Sequence, residues 1–152
     1  MKKILPYTII SIALLVSCGP EGYKSYLVGE TFTNERCTIT FESSTFVETN
    51  VTIDISVTRL NDDIKALDHI VAHQGPLTSF DPDLLEYNGV SIELGSNHDE
   101  WGQFIVDYPI SDDVFTLHVE YDVAIDSPSE SFDILEVRFI FDCVDFPIIV
   151  YR

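Results

Sequence analysis

Basic residues are scarce in this chain. Eight Lys and Arg face 26 Asp and Glu, giving a formal net charge of −18. Phosphate recognition needs clustered Lys and Arg, so the imbalance excludes nucleic acid as a partner. It also sets the chain against anionic lipid, while favouring solubility and fast capture of basic partners. Catalytic signatures are missing too. There is no G-x-S-x-G elbow, no P-loop and no H-E-x-x-H, and no Ser or Thr sits in a recognisable activating context. No internal repeat and no break suggesting a second domain interrupts the sequence. Cysteine is limited to three residues, Cys18, Cys37 and Cys143.

Apolar runs long enough to span a bilayer are also missing, since a crossing helix needs about 20 apolar residues. The nearest approach is the N-terminus, where Lys2 and Lys3 precede a short apolar stretch, Ile4 to Val16. That arrangement reads as an export signal at residues 1–17. It ends in Leu15-Val16-Ser17-Cys18, which resembles the lipobox of bacterial lipoproteins. The resemblance covers residues 1–18 alone. It implies cleavage before Cys18, a lipid-modified Cys18, and residues 18–23 as anchor and tether. It further implies a cell-envelope location, with the outer membrane favoured if the host has one, because Gly19 stands where some bacteria place a retention Asp. Two or more acyl chains give stable anchoring where one is marginal. Removal of Lys2 and Lys3 with the leader makes the remaining chain more acidic still.

With Cys18 assigned to lipid, Cys37 and Cys143 remain as an even pair, and an oxidising compartment favours a disulfide between them. Alternation puts Cys37 on one face with Ile39 and Phe41, and Cys143 on one face with Leu135, Val137, Phe139 and Phe141. Both are expected to point into the core. Closing a loop of about 100 residues would contribute about 4–5 kcal/mol in the chain-entropy account.

Period-two patterns dominate residues 24–152, read here as a single β-rich domain. Strands are expected over 24–29, 36–42, 51–58, 90–94, 103–108, 114–125, 133–143 and 146–151. The last contains Pro147, which marks an edge or a strand start. Between 62 and 74 the period changes. Asn61 is placed to cap a helix whose first turn holds Asp62 and Asp63, and Ile64, Leu67, Ile70 and Val71 form one apolar stripe before Gly75-Pro76. The expected fold is therefore all-β, or β-rich α+β: an antiparallel β-sandwich or barrel of about eight to nine strands with one inserted helix near 62–74.

Candidate chemistry is thin. His98, Asp99 and the sole tryptophan, Trp101, share a turn-rich loop suited to recognition or to a metal. Asp81, Asp83 and Glu86 are calcium-ligand types, as are Asp112 and Asp113, but neither group follows the EF-hand spacing. His69 and His73 stand four apart, at metal-ligand spacing if helical. His118 and Glu120 share the outward face of a strand, where they could act as ligands, as an acid–base pair or as a binding surface.

The composition points to a non-catalytic, membrane-tethered domain whose acidic surface meets a basic protein, as an inhibitor or immunity-type factor. In general build it is similar to the periplasmic lysozyme-inhibitor lipoproteins, with no motif in common. A calcium-assisted adhesion or glycan-binding module is the alternative, and a hydrolase the third reading. No cofactor other than weak calcium is implied.

Overall fold

The computed structural model describes residues 26–74, 78–123 and 134–151. The leader, Cys18 and the tether lie outside them. The described chain is all-β, with no helix and therefore none long and apolar enough to cross a membrane. Eleven strands run in the order β1 (Thr31–Thr33), β2 (Cys37–Val47), β3 (Asn50–Arg59), β4 (Ala66–Gln74), β5 (Thr78–Phe80), β6 (Leu84–Tyr87), β7 (Val90–Ser91), β8 (Phe104–Pro109), β9 (Val114–Asp122), β10 (Ile134–Phe141) and β11 (Val144–Tyr151). The count differs from the expected eight or nine because β1, β4, β5 and β6 were not read as strands, while the expected strand at 24–29 contributes, among its described residues, only the isolated bridge at Tyr26.

Two antiparallel sheets face each other, with no closed barrel. One has the order β1-β2-β3-β9-β6-β7. The other has the order β11-β10-β4-β5, with β8 pairing the remainder of β4. The sequence alternation supplies the layer between them. Ile39 and Phe41 of β2, Ile53, Ile55 and Val57 of β3, and Phe115, Leu117, Val119 and Tyr121 of β9 face Leu135, Val137, Phe139 and Phe141 of β10 and Phe146 and Ile148 of β11 in one core. All of these are essentially inaccessible to water. Each fully buried Leu, Ile, Val or Phe stabilises by roughly 1.5–3 kcal/mol relative to exposure. Pro147 lies on β11, the edge of its sheet, where its missing N–H costs no ladder bond.

The expected helix near 62–74 is instead β4, and the reason is a bulge. Against β10, Leu67 pairs with Phe141 and His69 with Ile140, leaving Asp68 between them as an extra residue. Against β8, where Leu67 pairs with Tyr108 and His69 with Ile105, Asp68 stands opposite two residues, Val106 and Asp107. One inserted residue turns a period of two into a spacing of three. The buried positions consequently fall at Leu67, Ile70 and Ala72, and the Leu67–Ile70 interval imitates a helical stripe. Ile64, also buried, belongs to the loop before β4. The capping signal at Asn61 has a local counterpart, since its Oδ1 accepts from the Asp63 N–H at 2.9 Å, but that turn is not propagated.

The two cysteines of the expected Cys37–Cys143 pair differ in their settings. Cys37 opens β2 and is fully buried. Cys143 is exposed in a two-residue hairpin turn, because β10 ends at Phe141. Asp142 and Cys143 both adopt positive φ, 40° and 70°, as a type I′ turn requires. That turn carries Cys143 off the core-facing register of β10.

The end of the sandwich around this turn is cross-stitched. Arg59 donates to the carbonyls of Asp112 (2.8 Å), Ser111 (2.9 Å) and Ile64 (3.0 Å) and to Asp113 Oδ1 (3.0 Å). Arg36 donates to the carbonyls of Asp142 (2.7 Å) and Asp63 (3.2 Å). Tyr87 Oη donates to Asp112 Oδ2 at 2.7 Å, and burial together with that bond pushes the phenol up to about 12. An open hollow of about 580 Å³ here is lined by Glu35, Arg36, Asn61 and Asp63. Its polar walls are already committed to loop contacts, Asn61 Nδ2 bonding the Glu35 carbonyl at 3.1 Å.

Candidate functional site

The outer face of the six-stranded sheet gathers most of the chemistry-bearing side chains. Alternation turns Thr52, Asp54 and Ser56 of β3 outward beside His118 and Glu120 of β9, with Asp54 directly opposite His118 and Glu86 of β6 opposite it on the other side. His118 Nδ1 lies 2.7 Å from Asp54 Oδ1, and Nε2 lies 3.0 Å from Glu120 Oε1. Ser43 of β2 donates to the other Asp54 oxygen, and Ser56 donates to Glu42. Partial burial works against the His118 charge, but the bonds to Glu120 and Asp54 outweigh it and raise the pKa above the ordinary value.

This wiring decides what the row can do. Both imidazole nitrogens are taken by carboxylates, so His118 has no free lone pair to act as a base. The Ser43 hydroxyl reaches Asp54 and not His118. His118 and Glu120, placed on one outward face by the alternation, are hydrogen-bonded to each other there. Asp54, Ser43 and Glu42 were missed by the sequence reading. The signal that could have found Asp54 was the outward phase of β3, set against that of β9.

The face has a one-signed charge pattern. Glu42, Asp54, Glu86, Glu120 and Asp122 all lie on it. The described Lys and Arg are Arg36, Arg59, Lys65 and Arg138. The first three sit at or beside the cross-stitched end, and Arg138 lies on the opposite sheet with Asp145 at 3.0 Å and Glu136 at 3.3 Å. Apart from His118, the acidic face therefore has no cation among the described residues.

The remaining candidates are dispersed. Asp81 meets His98, its Oδ1 2.9 Å from Nε2, and this bond, opposed by slight desolvation, raises the His98 pKa. Asp83 instead accepts from the Asp122 N–H, and Glu86 accepts from Ser91 Oγ at 3.4 Å. Asp99 shapes its own loop, its Oδ1 accepting from the Trp101 and Gln103 N–H groups at 2.8 Å each. Asp112 and Asp113 are held by Tyr87 and Arg59. Among the described residues no three His, Cys, Asp or Glu side chains converge as a metal site requires. His69 and His73 project from β4, at 3.9 Å from Asp99 and Glu136 respectively.

Trp101 departs from the usual behaviour of a lone tryptophan. Its side chain is 78% exposed at the tip of the loop that joins β7 to β8, next to Glu100. Gly102, at φ 75°, closes the turn behind it, its N–H donating to the Asp99 carbonyl at 3.1 Å. The loop is ordered by Asp99 while the indole is left in water.

No family model matches the chain, and no curated protein matches it in sequence. A solved structure, an uncharacterized β-sandwich protein from Clostridium difficile 630, is similar to 87% of this chain over 99% of its own length. The identity is 12% and the TM-score 0.43.

Proposed function

We propose that this chain is an exported, lipid-anchored lipoprotein whose β-sandwich binds a cationic protein without catalysis, as an inhibitor or immunity-type factor. The observation that carries the reading is the outer face of the six-stranded sheet, where Asp54, Glu86, Glu120 and their neighbours stand with no Lys or Arg among the described residues. Such a face steers a basic protein into encounter. Exposed Trp101 adds an aromatic anchor of the type enriched at binding hot spots, suited to stacking on Arg or Lys. The non-catalytic part of the reading is supported by the double occupation of His118. The anchor at Cys18 is supported by the lipobox resemblance.

The test is to immobilise the domain freed of its leader and pass envelope and external fractions over it at low ionic strength, eluting with salt. A basic protein should be retained, and its affinity should fall steeply as salt rises. The triple variant Asp54→Asn, Glu86→Gln, Glu120→Gln should release it. Trp101→Ala should weaken binding about tenfold or more while leaving the unfolding midpoint unchanged. Retention of nothing basic, or binding indifferent to both salt and the triple variant, defeats the proposal.

A further inference from the structure

We infer that the domain stands on the bilayer by its cross-stitched end, the one carrying Arg36, Lys65 and the Asp142–Cys143 turn, and presents the opposite end and the acidic face outward. The inference rests on the proposed lipid anchor at Cys18 and adds a direction to it. The decisive element is Tyr26, which is 6% exposed, packs its ring 4.6 Å from that of Phe146, and forms a parallel bridge with Ile148 on β11. The Ile149 N–H reaches the Tyr26 carbonyl at 3.5 Å.

Parallel pairing fixes the sense of the chain at the point where it joins the sandwich. Strand β11 starts at the Asp142–Cys143 turn and runs away from it, so the chain passing through Tyr26 comes from that same end. Ile148 stands four residues above Val144, about 14 Å at strand rise. Seven residues, 19–25, separate Tyr26 from Cys18, and they reach at most about 25 Å. That reach covers the distance of about 14 Å from Ile148 back to the near rim.

Charge favours the same end independently. Arg36, Arg59 and Lys65 lie there, whereas the far end, around Val47, Thr49 and Asp122, has no Lys or Arg among the described residues. Acidic groups are present at the near end too, including Asp62 and Asp63. The cations reduce its repulsion from anionic headgroups without cancelling it. Strand β2, 11 residues from Cys37 to Val47, carries the far end about 35 Å from the near one, well beyond the Debye length of about 8 Å at physiological salt.

The experiment uses the full lipidated chain, purified in detergent and reconstituted into vesicles containing a headgroup-nitroxide phosphatidylcholine. In a Trp101→Phe background, single reporters are placed by Leu60→Trp at the near end and Val47→Trp at the far end, both positions being exposed already (53% and 64%). Asp62→Trp and Thr49→Trp form a second pair should either of the first fail to fold. The near reporters should be strongly quenched and the far ones should match a nitroxide-free control. Equal quenching, or stronger quenching of the far reporters, overturns the orientation. Failure of the protein to float with the vesicles overturns the anchor as well, and so separates the two ideas.

Discussion

Arg36 Nη1 donates to the carbonyl of Asp142 at 2.7 Å across 106 positions of sequence. This contact lies one residue before each member of the expected cysteine pair, and it fastens the same two segments with a charge-assisted hydrogen bond. The Asp142 side chain completes the fastening by accepting from the Lys65 N–H and, at 2.9 Å, from the Ala66 N–H. Asp142→Ala removes the Oδ2 that accepts both bonds and places a residue intolerant of φ 40° in the turn. It should cost about 2–3 kcal/mol, from unsatisfied donors plus strain. Asp142→Asn keeps an acceptor and the tolerance of positive φ, and should cost well under half as much. Urea unfolding of the two variants decides it, and equal costs would refute this account of the turn.

Asp68 supplies a second test, because it is the residue that disguised β4. Deleting Asp68 restores uninterrupted alternation while keeping Leu67, Ile70 and Ala72 on the core side. Deleting Val71 has the opposite effect, moving Ala72 and all that follows to the wrong face. The Asp68 deletion should fold cooperatively with a modest drop in midpoint, whereas the Val71 deletion should lose its cooperative transition. Circular dichroism during thermal unfolding distinguishes them. A folded Val71 deletion would show that the register of β4 is not set by its buried face.

These two places mark where sequence reasoning stops. Strands β3, β9 and β10 are legible because each alternates over eight or more residues with one face buried, β2 because it alternates from Cys37 to Phe41, and β11 because of its apolar run. β4 is not, since a bulge has no signature until its partners, Phe141 and Tyr108, are known. Cys143 misleads for a similar reason: alternation continues in the letters past Phe141, while the chain turns. His118 beside Glu120 was legible from local phase. Its closer partner Asp54 is 64 positions away and becomes visible only once β3 and β9 are paired. The placement of Arg36 and Arg59 on carbonyls is invisible to the sequence, because it depends on where loops from three different connections end.

Tyr121 is fully buried, and its hydroxyl has no hydrogen-bond partner among the described residues. Burial, with a smaller contribution from Asp81, holds its pKa well above 10, so the phenol stays neutral. A buried hydroxyl without a partner carries a desolvation cost of about 1–3 kcal/mol. Tyr121→Phe preserves the ring and removes that cost, and should be neutral or stabilising by up to about 1 kcal/mol. A destabilisation of more than about 1 kcal/mol in urea would mean that the hydroxyl is satisfied by water in solution.

His118 makes stability depend on pH with a definite sign. Its folded pKa is raised above the value near 6.5 expected of an unfolded chain, so the folded state holds the proton more tightly. The stabilisation is fully present below about pH 6.5 and is lost as pH rises through the raised folded value. Asp145, whose carboxyl is pushed up by burial against the pull of Arg138, also binds its proton more tightly when folded, but it titrates nearer the acid end. His98 shares the direction of His118, but its imidazole is open to solvent, so its effect is screened. The urea midpoint should therefore fall between pH 6 and pH 9. His118→Gln should lower it clearly at pH 6, where Asp54 and Glu120 lose their bridging cation, and less at pH 9, where less of the wild-type imidazole carries the proton. If His118→Gln shifts the midpoint equally at both pH values, the bridge seen between β3 and β9 contributes nothing through its charge.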